Sequence, residues 1–272
     1  MVDNGDAKQI ALLDDTAIER DPVLDAAIGP ALLAAIGRDG GPDRLRLYRP
    51  GPTVAFSGRD CVTPGIGEAA AAAAAAGFTP VRRGPGGRAA AYHRGALCLD
   101  HVRADVDART DIRARFIGFG ELLVDALRTV GADARLGPVP GEYCPGEFSI
   151  NDGRGHKLVG TAQRLVRGAW LFGTVIMVTG AEPVRSVLVA AYRSLGLDWN
   201  PGTVGSVEDT VPGVTVADVH RAVLDGYARL GQLIPGGLSA AVLTDADGRR
   251  DHHRVPPAGP PPAVTPSIHA ME

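Results

Sequence analysis

Residues 141–178 read GEYCPGEFSINDGRGHKLVGTAQRLVRGAWLFGTVIMV. Two runs rich in β-branched and other apolar residues, 157–166 and 169–178, flank Arg167-Gly168, which is the pattern of a hairpin. The loop before the hairpin carries Cys144 between Tyr143 and Pro145. Around it stand Glu147, Ser149, Asn151 and Asp152, polar neighbours that a buried structural thiol would not need. Lys157 opens the first strand thirteen positions after Cys144, behind a turn containing Gly153 and Gly155 that can fold the chain back on the cysteine loop. A nearby ammonium lowers a thiol pKa, and the thiolate is the nucleophile. Cys144 and Lys157 are therefore the expected chemical centre. The plainer readings stay open: most free cysteines are small buried hydrophobes, and lysines often guard strand edges.

Outward from the hairpin, residues 184–195 and 216–230 read as helices, the second with Thr215 as its N-cap. Upstream, Ile112, Phe116, Phe119, Leu123, Leu127 and Val130 recur at helical intervals behind a cap at Thr110 or Asp111. Residues 89–99 read as one strand and 78–83 as another. The alanine run 69–76 is a helix stopped by Gly77, because alanine is the best helix former. Leu45 and Leu47 alternate with polar neighbours in a strand, and residues 53–57 form the next. Apolar residues from Ala11 to Arg38 recur at helical spacing, with one helix over residues 22–36 behind an Asp21 cap and Pro22. Strands clustered around a few long helices predict an α+β domain with mixed or antiparallel sheets rather than an alternating parallel one. After residue 235 the pattern fades. Residues 236–272, with six prolines between 256 and 266, are expected as a disordered C-terminal extension of a 1–235 catalytic domain.

A net charge of −3 over 272 residues lacks the basic excess that non-specific nucleic-acid binding needs. No apolar run approaches the ~20 residues of a membrane span, and the start of the chain lacks the pattern of a secretory signal. A soluble cytoplasmic protein is expected. Cys61, Cys98 and Cys144 have no CxxC spacing, so neither a disulfide framework nor a zinc site is suggested, and Cys98 reads as core. No metal ligand set stands out, and His252, His253 and His269 read as solvated. Residues 82–88, RRGPGGR, could admit an anion or carbonyl to backbone N–H groups and arginine forks, or could be an ordinary glycine turn. His93 beyond it could donate to a ligand or sit half-buried on its strand.

Several of these segments together resemble the lipoate–protein ligase, octanoyltransferase and biotin–protein ligase superfamily. Pro52-Thr53-Val54 with Ser57-Gly58-Arg59 looks like its early strand motif, and Arg82-Arg83, Gly86-Gly87-Arg88 and Tyr92-His93 look like its acyl-binding loop. The run from Lys157 to Arg164, KLVGTAQR, looks like its lysine segment. The resemblance covers residues 40–235 and implies a class II synthetase-like catalytic domain that moves an octanoyl or lipoyl group onto a lysine of a lipoyl carrier domain. It implies substrate contacts for Arg82, Arg83, Gly86, Gly87, Arg88, Tyr92, His93, Gly160, Thr161 and Ala162. In the cysteine-dependent transferases of this group a loop cysteine shortly before the lysine takes the acyl group as a thioester, the position of Cys144. Departures include Pro85 in place of the usual Ser or Thr and a less aromatic cysteine loop.

The favoured expectation is transfer from an acyl carrier protein to a lipoyl domain through Cys144. Lys157 would orient the carbonyl, Gly86-Gly87 N–H groups would meet the oxyanion, and no cofactor would be needed. Leu45, Val54, Leu158 and Val175 are the expected apolar lining. One alternative is a ligase that uses ATP and Mg, with Lys157 on the adenylate; another is a non-catalytic lipoate-binding homologue. No ligase accessory domain is recognisable after residue 235, which favours transfer.

Overall fold

The structure is a computed structural model that describes residues 8–255. Along the chain come β1 (Gln9–Asp15), α1 (Pro22–Asp39), β2 (Asp43–Tyr48) and β3 (Thr53–Phe56). Next are α2 (Ile66–Ala75), β4 (Thr79–Arg82), β5 (Ala90–Tyr92), β6 (Ala96–Ala104) and α3 (Ile112–Thr129). Then follow β7 (Arg135–Leu136), β8 (Ile150–Asn151), β9 (Lys157–Val166), β10 (Ala169–Met177) and α4 (Ala181–Ser194). Last are α5 (Val216–Ala228), β11 (Gln232–Pro235) and α6 (Ala240–Gly248).

Eight strands form one sheet in the order β11-β1-β2-β6-β10-β9-β8-β7, and β4-β3-β5 form a second. Only the β11/β1, β1/β2 and β3/β4 pairs are parallel, so the fold is the mixed α+β arrangement expected. The β9/β10 hairpin closes through Gly168 at φ +81°, a left-handed conformation that costs glycine little.

Side-chain caps set the starts of α1, α5 and α6. The Asp21 carboxylate accepts from Val23 and Leu24 N–H at 2.9 and 3.1 Å and starts α1. Thr215 and Asp218 form a reciprocal capping box at α5. The alanine run is α2, which turns Ala69 and Ala73 against the Val184, Leu188 and Ala191 side of α4 in one core cluster. Helix α1 buries Ile28, Leu32, Leu33 and Ile36 on Leu13, Val102 and Leu171 of the large sheet.

Three expectations change. The start of the helical-looking 11–38 stretch belongs to β1, whose insertion between β2 and β11 outweighs its local spacing. Residues 89–99 are not one strand. A turn at His93-Arg94-Gly95, where Ala96 N–H donates to His93 C=O at 2.8 Å, sends β5 into the small sheet and β6 into the large one. The domain does not end at residue 235 either. Ser239 caps α6, whose Val242 and Ala246 pack with α1, and Arg254 bridges to Val81 beside β3. With only two buried residues and Gly236-Gly237 before it, α6 has almost no periodic signal. Residues 256–272, including the expected disordered prolines and His269, lie outside the described residues.

Candidate active site

Cys144 lies in the loop between β7 and β8 with φ +42°, in the left-handed region that disfavours a residue with a Cβ by roughly 1–3 kcal/mol. Its surroundings hold it there from three directions. The Cys144 N–H donates to Tyr192 Oη at 2.7 Å, and that hydroxyl donates onward to Ala89 C=O at 2.9 Å. Lys157 Nζ donates to the carbonyls of Cys144 and Tyr143 at 3.0 and 3.1 Å and pairs with Glu142 Oε2 at 2.9 Å. Glu142 also accepts from Ser149 Oγ at 2.8 Å and from the N–H groups of Val139 and Gly146. Lys157 and Glu142 are each only 2% exposed, so the two charges have to satisfy one another, and these hydrogen bonds do so.

The sulfur faces other partners. Arg83 Nη2 donates to Cys144 Sγ at 3.1 Å and Arg88 N–H points to it at 3.4 Å. Burial pushes the Cys144 thiol up, but the Arg83 guanidinium, the Lys157 ammonium and the Arg88 N–H together bring it below its ordinary value. The other thiols go the opposite way, because burial raises both Cys61 and Cys98. Gly87 makes the approach possible: at φ +99°, a Cβ there would stand 2.7 Å from Sγ and 2.6 Å from Arg83 Nη2. The loop is anchored by Arg83 donating to Arg88 C=O at 2.8 Å and by Arg88 Nη1 pairing with Asp60 at 3.2 Å. Asp60 in turn accepts from Ser57 N–H and Oγ at 2.9 Å.

Beside the sulfur opens a cavity of about 450 Å³. Gly160, Thr161 and Ala162 of β9 and Gly173 and Val175 of β10 line it, and its wall includes the stacked rings of Phe116 and Phe148, 4.9 Å apart. Residues from α1, β2 and β6 also line it, including Asp25, Tyr48 and Asp100. A cysteine with a depressed pKa at a largely apolar cavity can accept an acyl group and hold its chain away from water.

Most of the expected site residues meet here. Cys144, Lys157, Arg83, Gly86, Gly87 and Tyr92 line the cavity with Gly160, Thr161 and Ala162. Arg88 reaches the sulfur through its backbone, while its guanidinium turns to Asp60. Arg82 and His93 lie outside the cavity lining. Arg82 is exposed, and its carbonyl accepts from His253 Nδ1 at 2.8 Å, so His253 is buried rather than solvated. His93 accepts from Gly95 N–H and donates to Gly180 C=O at 2.8 Å, where it ties a turn to the start of α4.

The direct pairing of the Lys157 ammonium with the thiol is not what forms. Lys157 spends its donors on Glu142 and two carbonyls, and Arg83 takes the sulfur. The backbone N–H that points to the sulfur is that of Arg88, one residue beyond the expected glycine pair. Of the expected lining residues only Val175 reaches the cavity; Leu45, Val54 and Leu158 are fully packed in the core clusters. Sequence reasoning missed Glu142, Tyr192 and Asp60. Glu142 left one clue, an acid two positions before the cysteine. Tyr192 sits on a helix face and left none. Among the described residues no group of three metal-ligating side chains occurs, and no helix is long and apolar enough to cross a membrane.

The family model for the lipoyl protein ligase A/B catalytic domain matches residues 21–228. The octanoyl-[GcvH]:protein N-octanoyltransferase of Geobacillus kaustophilus is 28% identical over 197 residues, 71% of this chain and 69% of that protein. The protein of the same name from Bacillus velezensis is 25% identical over 248 residues, 86% of this chain and 81% of its own length. Among solved structures, lipoate-protein ligase A bound with ATP is similar at a TM-score of 0.73 and 21% identity, covering 90% of this chain and 94% of that one. Protein Ta0514 from T. acidophilum with bound lipoic acid gives 0.70 and 22% identity, covering 90% and 95%. These two likenesses show a shared fold.

Proposed function

This chain belongs to the lipoyl protein ligase A/B catalytic-domain family, and we propose that it is an octanoyltransferase working through a Cys144 thioester. The observation that carries this reading is the sulfur itself, held by Arg83 at 3.1 Å and Arg88 N–H at 3.4 Å beside a 450 Å³ cavity. The relatives named as octanoyltransferases support the same group and reaction class.

In the first step the Cys144 thiolate attacks the carbonyl carbon of an octanoyl thioester on an acyl carrier protein. The new carbon–sulfur bond forms as the old one breaks, and the carrier thiolate leaves. In the second, the neutral amine of a lipoyl-domain lysine attacks the Cys144 thioester, loses a proton, and Cys144 leaves as the thiolate. Nothing is oxidised and the donor is already activated, so the balance needs neither ATP nor Mg. Arg83 favours the thiolate in both its attacking and leaving roles, and Arg88 N–H is a donor to the oxyanion formed beside it.

Lys157 argues against the ligase alternative. Its ammonium is buried against Glu142 and two carbonyls, which leaves it a scaffold for the cysteine loop rather than a free contact for an adenylate. A second donor has a specific observation behind it: the relatives' name writes the octanoyl group on GcvH. Cleavage of an octanoyl-lysine amide would use the same thioester: the carbon–sulfur bond forms as the carbon–nitrogen bond breaks, and the leaving lysine amine takes a proton from solvent.

The test is intact mass of the protein after incubation with octanoyl carrier protein or with octanoyl-GcvH, followed by addition of unmodified lipoyl domain. An octanoyl adduct on Cys144 that disappears as the lipoyl domain gains the group supports the proposal, and the donor that loads it identifies the partner. Transfer by Cys144→Ala, dependent on free octanoate or lipoate with ATP and Mg, would replace it with the ligase reading.

A further inference from the structure

The cavity beside Cys144 crosses the strands rather than running along them. Ala162 on β9 is opposite Gly173 on β10, which is opposite Asp100 on β6, and all three line the cavity. Residues directly opposed in a sheet share a face, so they form one row across its floor. The first two members have almost no side chain. The third is a carboxylate.

The row has a thioester end and a far end. A Cβ on Gly160 would lie 3.9 Å from Lys157 Nζ, which itself lies 3.0 Å from the Cys144 carbonyl oxygen, so β9 is the side next to the nucleophile. Two strand spacings, roughly 10 Å, separate β9 from β6. An eight-carbon acyl group, seven zigzag bonds of ~1.5 Å, spans roughly 9 Å. At the far end Asp100 is joined in the lining by Tyr48 of β2 and by Asp25 and Gly29 of α1. Helix α1 comes close there: a Cβ on Gly29 would stand 3.0 Å from Asp100 Oδ2.

The proposed reaction gives Asp100 no part. Nor does it serve chiefly to neutralise Arg46, whose close partners are Asp25 at 2.5 Å and Asp15 at 2.9 Å, while Asp100 is 3.8 Å away. No hydrogen-bond donor contacts the Asp100 carboxyl among the described residues. What it faces is the cavity.

We propose that Asp100 is a polar end wall that sets acyl length, so that an octanoyl group fills the row and a longer chain would press its methyl end onto a carboxyl that no donor hydrogen-bonds. The inference rests on the acyl-transfer reading and names the specificity of that same site. A polar group stripped of water without a new partner is unfavourable, so each methylene beyond the wall is penalised instead of rewarded. Gly173 supplies the complementary control. A Cβ there would meet Leu171 at 3.5 Å and Asp100 at 3.7 Å, ordinary contacts that fit the fold while narrowing the row.

The experiment measures the rate of Cys144 acylation by intact mass with hexanoyl, octanoyl, decanoyl and dodecanoyl carrier protein. Wild type is expected to favour octanoyl over decanoyl. In Asp100→Ala the decanoyl-to-octanoyl ratio should rise about tenfold or more, a shift typical of adding room for methylenes in a pocket. In Gly173→Ala the hexanoyl-to-octanoyl ratio should rise by about as much, which keeps the test decisive should Asp100→Ala fold poorly. A wild type that acylates from octanoyl donor, with variants that keep its chain-length profile, overturns the end wall alone. A wild type that forms no Cys144 adduct from any donor overturns the transfer reading, and the end wall with it.

Discussion

Replacing Arg83 by Gln tests what ionises the sulfur. The guanidinium donates to Sγ at 3.1 Å and is the strongest influence opposing burial, ahead of Lys157. An opposite charge at such range shifts a pKa by about 1–3 units. Losing that charge raises the thiol pKa and shrinks the thiolate fraction at low pH, while the more basic thiolate that remains is a better nucleophile at a Brønsted slope near 0.45. The net expectation is alkylation by iodoacetamide several-fold slower below the wild-type thiol pKa and several-fold faster above both pKa values. The two rate–pH curves must therefore cross. Arg83→Lys, which keeps a charge, should lie between them. Superimposable curves for wild type and Arg83→Gln, with Tm values showing both folded, would refute Arg83 as the ionising partner.

Gly87→Ala should slow Cys144 alkylation and acylation by an order of magnitude or more, since its Cβ would collide with both Sγ and Arg83; the same rate measurements decide it. Glu142→Gln leaves the Lys157 ammonium buried without its counter-charge and should cost roughly 3–5 kcal/mol, read by urea unfolding. Burial raises Asp100 from 3.8 to about 6, Arg46 opposing, so the folded state prefers the neutral acid. Its contribution to stability is complete below pH ~4 and is lost as pH rises through about 6, a penalty on the order of 3 kcal/mol at pH 8. Asp100→Asn should accordingly raise Tm at pH 8 and leave it nearly unchanged at pH 3.5.

What the amino-acid sequence determined by itself is what short-range spacing encodes. Apolar, β-branched runs on either side of Arg167-Gly168 specify the β9/β10 hairpin, Thr215 the start of α5, and eight alanines before Gly77 the helix α2. The polar setting of Cys144 and the order of motifs around it were also legible, because each is a local pattern of residue types. Only the tertiary structure decided the rest. Cys144 meets Arg83 across 61 positions and Tyr192 across 48, contacts that depend on which sheet each strand enters. The turn at Gly95 that divides β5 from β6 joins the glycine loop to one sheet and Asp100 to the other, and no periodicity in residues 89–99 marks it. Lys157 illustrates the limit: its charge does help lower the Cys144 pKa, as its spacing suggested, yet burial beside Glu142 commits its hydrogen bonds to the loop backbone and leaves the direct contact with the sulfur to Arg83. A charge takes whichever partners remain once water is excluded, and packing at long range decides which those are.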